Sequence, residues 1–159
     1  MKLNEKTIKE IIKKLLKQKL TISFAESITG GSAAFSFVSF SGASNYFNSS
    51  IVAYTNQQKN KLLNVNPDTL FKYGPVSKEV ANEMAVNLKL KTTSNICISF
   101  TGNAGPTVPE NEEFGLTYIT IIIDDNLYNF KFISNKKERS EIIIDTLNFA
   151  FLNLNNKLK

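Results

Sequence analysis

Isoleucine and leucine recur every three or four positions near the start of the chain. Ile8, Ile11, Ile12, Leu15 and Leu16 fall on one helical face with lysines between them. That spacing is the mark of an amphipathic helix, here predicted over residues 4–18 with Asn4 as its cap. The period then shortens to two. Leu20, Ile22 and Phe24 alternate with Thr21 and Ser23, which predicts a strand over residues 20–24.

The same reading carries along the chain. A tight connection spans residues 25–31, and a helix of small and aromatic residues follows over about 32–40. Ser41-Gly42-Ala43-Ser44 breaks it. A second strand is expected over residues 50–54. Asn56 caps a helix running through Lys59 to Leu63, and Pro67 opens a short helix that stops before Gly74. Ser77 caps a longer helix with Val80, Met84 and Leu88 on one face. Ile96, Cys97, Ile98 and Phe100 leave no wet face, so residues 95–100 read as a buried strand. Residues 116–123 and 127–133 read as strands joined through Asp124-Asp125-Asn126. The last helix is expected over residues 136–155, with Ile143, Leu147, Ala150, Phe151 and Leu154 as its buried stripe.

Helices alternating with short apolar strands predict an α/β fold, a three-layer α/β/α sandwich on a mixed, mostly parallel sheet. No repeat, linker or composition shift divides residues 1–159, so one domain is expected. The N-terminus lacks an apolar run before a small-residue cleavage site, and no long apolar stretch follows, so neither a signal peptide nor a membrane span is expected.

Charge changes this picture little. The net charge is +5, yet the basic residues are lysines except Arg139, and they are scattered. Arginine is the usual tool for bidentate base and phosphate contacts. No nucleic-acid partner and no membrane partner is expected. Cys97 is the only cysteine, so no intrachain disulfide can form and a cytoplasmic setting is expected.

The absence of histidine changes it more. It excludes a Ser-His-Asp triad, a Cys-His pair and histidine-ligated zinc. Two glycine- and hydroxyl-rich loops follow strand ends, one after Phe24 and one after Phe100. Ligands of open α/β sheets sit at the carboxyl ends of strands, and free amides there can hold a phosphate or an oxyanion. Ser27 fits two roles, a helix cap or a nucleophile. Lys59 fits a solvated helix residue as well as a base, and Tyr54 a packed aromatic. Spacing alone does not choose the reaction.

Ala25-Glu26-Ser27-Ile28-Thr29-Gly30-Gly31 resembles the AES-x-TGG signature of the CinA C-terminal domain. Gly42-Ala43-Ser44-Asn45-Tyr46-Phe47 resembles that family's G-x-S-x-Y-F segment. Val52-Ala53-Tyr54-Thr55-Asn56-Gln57-Gln58-Lys59, with Leu62-Leu63-Asn64-Val65 after it, is similar to its VAYSN-x-x-K segment. Gly74-Pro75-Val76-Ser77-Lys78-Glu79-Val80-Ala81 resembles GAVS-x-EVA, and Thr101-Gly102-Asn103-Ala104-Gly105-Pro106 resembles TGIAGP. Each motif is weak alone; in register they cover nearly the whole chain.

The resemblance implies a stand-alone domain form, without the larger N-terminal domain of full-length CinA proteins. It implies a nicotinamide-nucleotide amidase that turns nicotinamide mononucleotide and water into nicotinate mononucleotide and ammonia. Ser27 is then the nucleophile, Lys59 its partner and Tyr54 an assisting hydroxyl. Thr29, Gly30, Gly31, Ser44, Asn56, Thr101, Gly102, Ala104 and Gly105 are the expected substrate-binding residues, with the amides of Thr29, Gly30 and Gly31 facing the oxyanion. No metal and no cofactor is expected, and a homo-oligomer of at least two copies is.

Two segments depart from the family pattern. After Gly105-Pro106, paired glycines give way to Thr107-Val108-Pro109-Glu110-Asn111-Glu112-Glu113-Phe114-Gly115. The Gly-Asp-Arg turn before the last helix is replaced by Asn135-Lys136-Lys137, and Glu141 takes the place assigned to a further arginine. If those arginines hold a phosphate or a subunit contact, that role is weakened here or moves to Lys136 or Lys137. The departures leave two alternatives to an active amidase: a nucleotide-binding member with little or no turnover, and an amidase for a different small amide.

Overall fold

A computed structural model describes residues 2–108 and 113–159; the expectation about Pro109, Glu110, Asn111 and Glu112 lies outside the described residues. Helix α1 (Glu5–Gln18) buries Ile8, Ile11, Ile12 and Leu15, and the Asn4 side chain accepts the Thr7 amide. Strand β1 (Ile22–Glu26) is buried throughout. It is followed by α2 (Ser32–Val38), a short 3-10 turn at Ala43–Asn45 and β2 (Phe47–Val52). Three helices come next: α3 (Asn56–Leu63), α4 (Pro67–Tyr73) and α5 (Lys78–Thr92). Strand β3 (Ile96–Gly102), the hairpin β4 (Leu116–Ile123) and β5 (Asn126–Ile133), and α6 (Arg139–Lys157) complete the order.

The sheet order is β2-β1-β3-β4-β5. β2, β1 and β3 run parallel, and the hairpin adds two antiparallel pairings. The period of two along β1 sorts its side chains onto the two faces. Ile22 and Phe24 join a core with Ile8, Ile11, Leu15, Phe37 and Phe151, from α1, α2 and α6. Ala25 and Cys97 join a second core with Leu63, Val80, Met84 and Leu88, from α3 and α5. The three layers therefore follow from strands that are apolar on both faces.

Several boundaries differ from the sequence reading, β1 among them: it runs over Ile22–Glu26 rather than 20–24, because its pairing with β3 extends from Ile22 to Glu26. β2 is Phe47–Val52, not 50–54, because pairing with β1 rather than hydrophobicity defines it: Phe24 lies opposite Ser50 and Ile22 opposite Phe47. Thr55, not Asn56, caps α3, its side chain accepting the Gln58 amide. α6 begins at Arg139, and its buried stripe runs through Ile142 and Thr146, with Ile143 half-buried beside it. Among the described residues no helix is long and apolar enough to cross a membrane.

Candidate active site

The chain leaves β1 through α2 toward β2, and leaves β3 in the other direction toward β4. A crevice opens at the carboxyl ends of β1 and β3, where those connections part. The Ser27 amide bridges it by donating to the Phe100 carbonyl at 3.0 Å. The crevice encloses a cavity of about 220 Å³. Ser27 and Ile28 after β1, Tyr54 to Asn56 after β2, Lys59 on α3, Gly102 at the end of β3 and Asn103 to Gly105 after it line the cavity, with Arg139 of α6.

Lys59 is the unusual residue here. It sits in the first turn of α3, 2% exposed, although lysine is almost never buried without a partner. Its Nζ donates to Ser27 Oγ at 2.9 Å and to the Tyr54 carbonyl at 3.1 Å. No carboxylate pairs with it among the described residues. Burial disfavours the ammonium, and the Lys59 pKa falls from 10.5 to about 8. The positive end of α3 acts in the same direction. Near pH 8 a large fraction of Lys59 is a neutral amine in contact with a serine hydroxyl. That arrangement can remove the serine proton as the oxygen attacks an electrophilic carbon.

Tyr54 enters differently from the expectation. Its carbonyl, not its hydroxyl, contacts Lys59. The side chain is 54% exposed, and its hydroxyl accepts from Arg139 Nη2. Arg139 Nη1 also donates to the Gly105 carbonyl at 2.6 Å. The cavity mouth thus carries a guanidinium, and the structure places Arg139 there rather than Lys136 or Lys137, which the sequence reading chose. Arg139 and Tyr54 lie 85 residues apart, so only the fold brings them together.

The two glycines expected to face an oxyanion are occupied elsewhere. The Gly31 amide donates to Glu26 Oε2 at 2.8 Å, and the Gly30 amide donates to the Ser27 carbonyl at 3.1 Å. Thr29 also turns its hydroxyl to Glu26, at 2.8 Å. The amides of Ile28 and Thr29, at the centre of that turn, meet no acceptor among the described residues. Within this turn these two are the donors left, and Ile28 lines the cavity, where such an amide can receive a developing oxyanion.

Ser44 does not reach the cavity. It lies in the 3-10 turn before β2, whose first residue pairs with Ile22 at the amino end of β1. That is the opposite end of the sheet. Thr101 braces the cavity wall, its hydroxyl donating to the Pro75 carbonyl at 2.6 Å. Gly102 is closely confined: a Cβ there would lie 2.6 Å from Thr117 Oγ1 and 2.7 Å from the Leu116 carbonyl oxygen. Gly105 has φ +65°, and the Phe114 ring fills the space a side chain would need. Asn56 and Ala104 line the cavity as expected.

The model of the CinA C-terminal domain matches residues 4–158 of the chain. Protein MG115 of Mycoplasma genitalium is 43% identical over 133 residues, which cover 84% of this chain and 85% of that protein. A CinA-like protein of Petrotoga mobilis is 40% identical over 88% of this chain but only 35% of its own length. The crystal structure of a competence or damage-inducible protein from Enterobacter asburiae superposes over the full length of both chains with a TM-score of 0.94, at 21% identity.

Proposed function

Because the chain belongs to the CinA C-terminal domain family, we propose that it is a serine amidohydrolase acting on the carboxamide of nicotinamide mononucleotide. One observation carries the reaction class: Lys59 Nζ lies 2.9 Å from Ser27 Oγ in a buried setting that favours the neutral amine. With no histidine in the chain, this pair is the nucleophile and base that the cavity offers.

Ser27 Oγ attacks the carboxamide carbon while its proton passes to Lys59 Nζ. The tetrahedral oxyanion is received by the amides of Ile28 and Thr29. Lys59 then returns the proton to the departing nitrogen, and ammonia leaves. Water, deprotonated by the same amine, hydrolyses the acyl-serine and restores Ser27. Lys59 therefore acts as base and then as acid in each half of the cycle.

The pyridine-nucleotide substrate rests on the family. Arg139 at the cavity mouth supports it, because a guanidinium suits a phosphate monoester. Purified protein should release ammonia from nicotinamide mononucleotide and not from its riboside or free nicotinamide. Silence on all three would overturn the reading. Arg139→Ala should raise KM for the nucleotide by about ten- to a hundredfold, the value of a charged hydrogen bond. Steady-state kinetics check this; an unchanged KM would remove Arg139 from phosphate binding.

A further inference from the structure

Strand β1 ends in a charged residue that is completely buried: Glu26 is 0% exposed. A buried carboxylate is tolerated only when its oxygens are satisfied. Glu26 Oε2 accepts from Thr29 Oγ1 and the Gly31 amide, both at 2.8 Å, and from the Ala33 amide at 3.0 Å. Oε1 accepts from the Ala34 amide at 3.0 Å and from Ser50 Oγ at 2.8 Å. The donors come from the turn after Ser27, from the start of α2 and from the neighbouring strand β2. The Glu26 main-chain carbonyl also accepts the Ala53 amide at 2.8 Å. One side chain therefore ties together every segment that adjoins the serine on that side.

The choice of donors matters for chemistry. Glu26 takes the Gly31, Ala33 and Ala34 amides, and the Ser27 carbonyl takes that of Gly30. What remains without an acceptor is the pair Ile28 and Thr29. The carboxylate holds the turn in a shape that leaves those two amides without an acceptor.

We propose that Glu26 is a positioning residue that holds the Ser27 turn so that the Ile28 and Thr29 amides are available to the oxyanion. This rests on the serine amidohydrolase reading above. Glu26 contacts no substrate; it acts through the turn.

Glutamine is the informative replacement. It is isosteric, but one of its two terminal atoms is an NH2 group. In either orientation that NH2 opposes a backbone N–H, either Ala34 alone or Gly31 and Ala33 together. Ser50 can reverse its hydroxyl to accommodate the change; a backbone amide cannot. Glu26→Gln should therefore distort the turn while leaving the Lys59 contacts intact.

The test is the rate at which a fluorophosphonate labels Ser27 in the full chain, with Ser27→Ala as the blank. This reagent forms a tetrahedral adduct and needs no knowledge of the natural substrate. Wild type should label at Ser27. Glu26→Gln, shown folded by circular dichroism, should label at least about tenfold more slowly with an unchanged pH midpoint, because Lys59 is untouched. Ser50→Ala, which removes one donor and is the milder variant, should slow labelling by a few fold. On the natural amide the same changes should lower kcat and leave KM within about twofold. Wild-type labelling rates in both variants, with any fall confined to melting temperature, would reduce Glu26 to a structural cap and overturn the proposal. A wild-type protein that does not label at Ser27 would instead overturn the amidohydrolase reading, and the proposal with it.

Discussion

Lys59→Met should lower amide turnover by about a hundred- to ten-thousandfold, the range of a positioned general base, without loss of stability at pH 7. The activity loss follows because, among the described residues, Lys59 is the amine in hydrogen-bond contact with Ser27 Oγ. The stability result follows from burial. Holding a lysine at a pKa of about 8 instead of 10.5 costs about 3 kcal/mol wherever both states carry the proton. Below pH 8 the folded and unfolded chains are both protonated, and the fold bears that whole cost. Between about 8 and 10.5 the unfolded chain binds more protons than the folded one, so stability rises with pH. Methionine fills similar volume without the charge. Ser27 and Tyr54 line the cavity, so the oxygens that lose Nζ can turn to water. Thermal melts of both proteins at pH 7 and 10 check the sign. The methionine variant should melt at the same or a higher temperature at pH 7, and its advantage should shrink at pH 10. A melting point several degrees lower at pH 7 would mean that Lys59 is well compensated and charged.

Ser27→Ala should reduce turnover by about ten-thousandfold or more, since a nucleophile removed from a unit that acts together removes most of its effect. Its fold should persist. The Ser27 main chain keeps both its bonds, from its amide to Phe100 and from Gly30 to its carbonyl, and only the hydroxyl is lost. The Lys59 amine retains the Tyr54 carbonyl. Ammonia release measured against wild type decides the matter. Turnover within tenfold of wild type would mean that water, not serine, attacks the amide.

The layers of the fold were legible because hydrophobic periodicity reports them directly. α1 buries four of the five aliphatic positions that mark its face, Leu16 turning to solvent, and β4 has the bounds predicted for it. β2 was misplaced because its centre reads Asn48-Ser49-Ser50. It is an edge strand defined by pairing with β1, and Ser50 is held there by Glu26.

The site was legible in part. Ser27 and Lys59 were named from the family motif, and the fold sets them side by side. Composition contributed the missing histidine. Arg139 escaped because its partners Gly105 and Tyr54 lie 34 and 85 residues away along the sequence. The sequence reading named only its neighbours Lys136 and Lys137 for that role. Glycines 30 and 31 were misread because glycine suggests free amides, and nothing local reveals that Glu26 and Ser27 already hold them. A signal for Glu26 was present nevertheless: an acidic residue closing the run Ile22-Ser23-Phe24-Ala25 must find several donors if that strand is buried.

The most direct test is ammonia release from nicotinamide mononucleotide by wild type and by Ser27→Ala, followed from pH about 6 to 10. Wild-type turnover should rise with pH to a plateau, with a midpoint near 8 that reports Lys59 losing its proton; Ser27→Ala should stay at background throughout. Turnover that is level across that range, or that survives in Ser27→Ala, would contradict a Ser27–Lys59 mechanism.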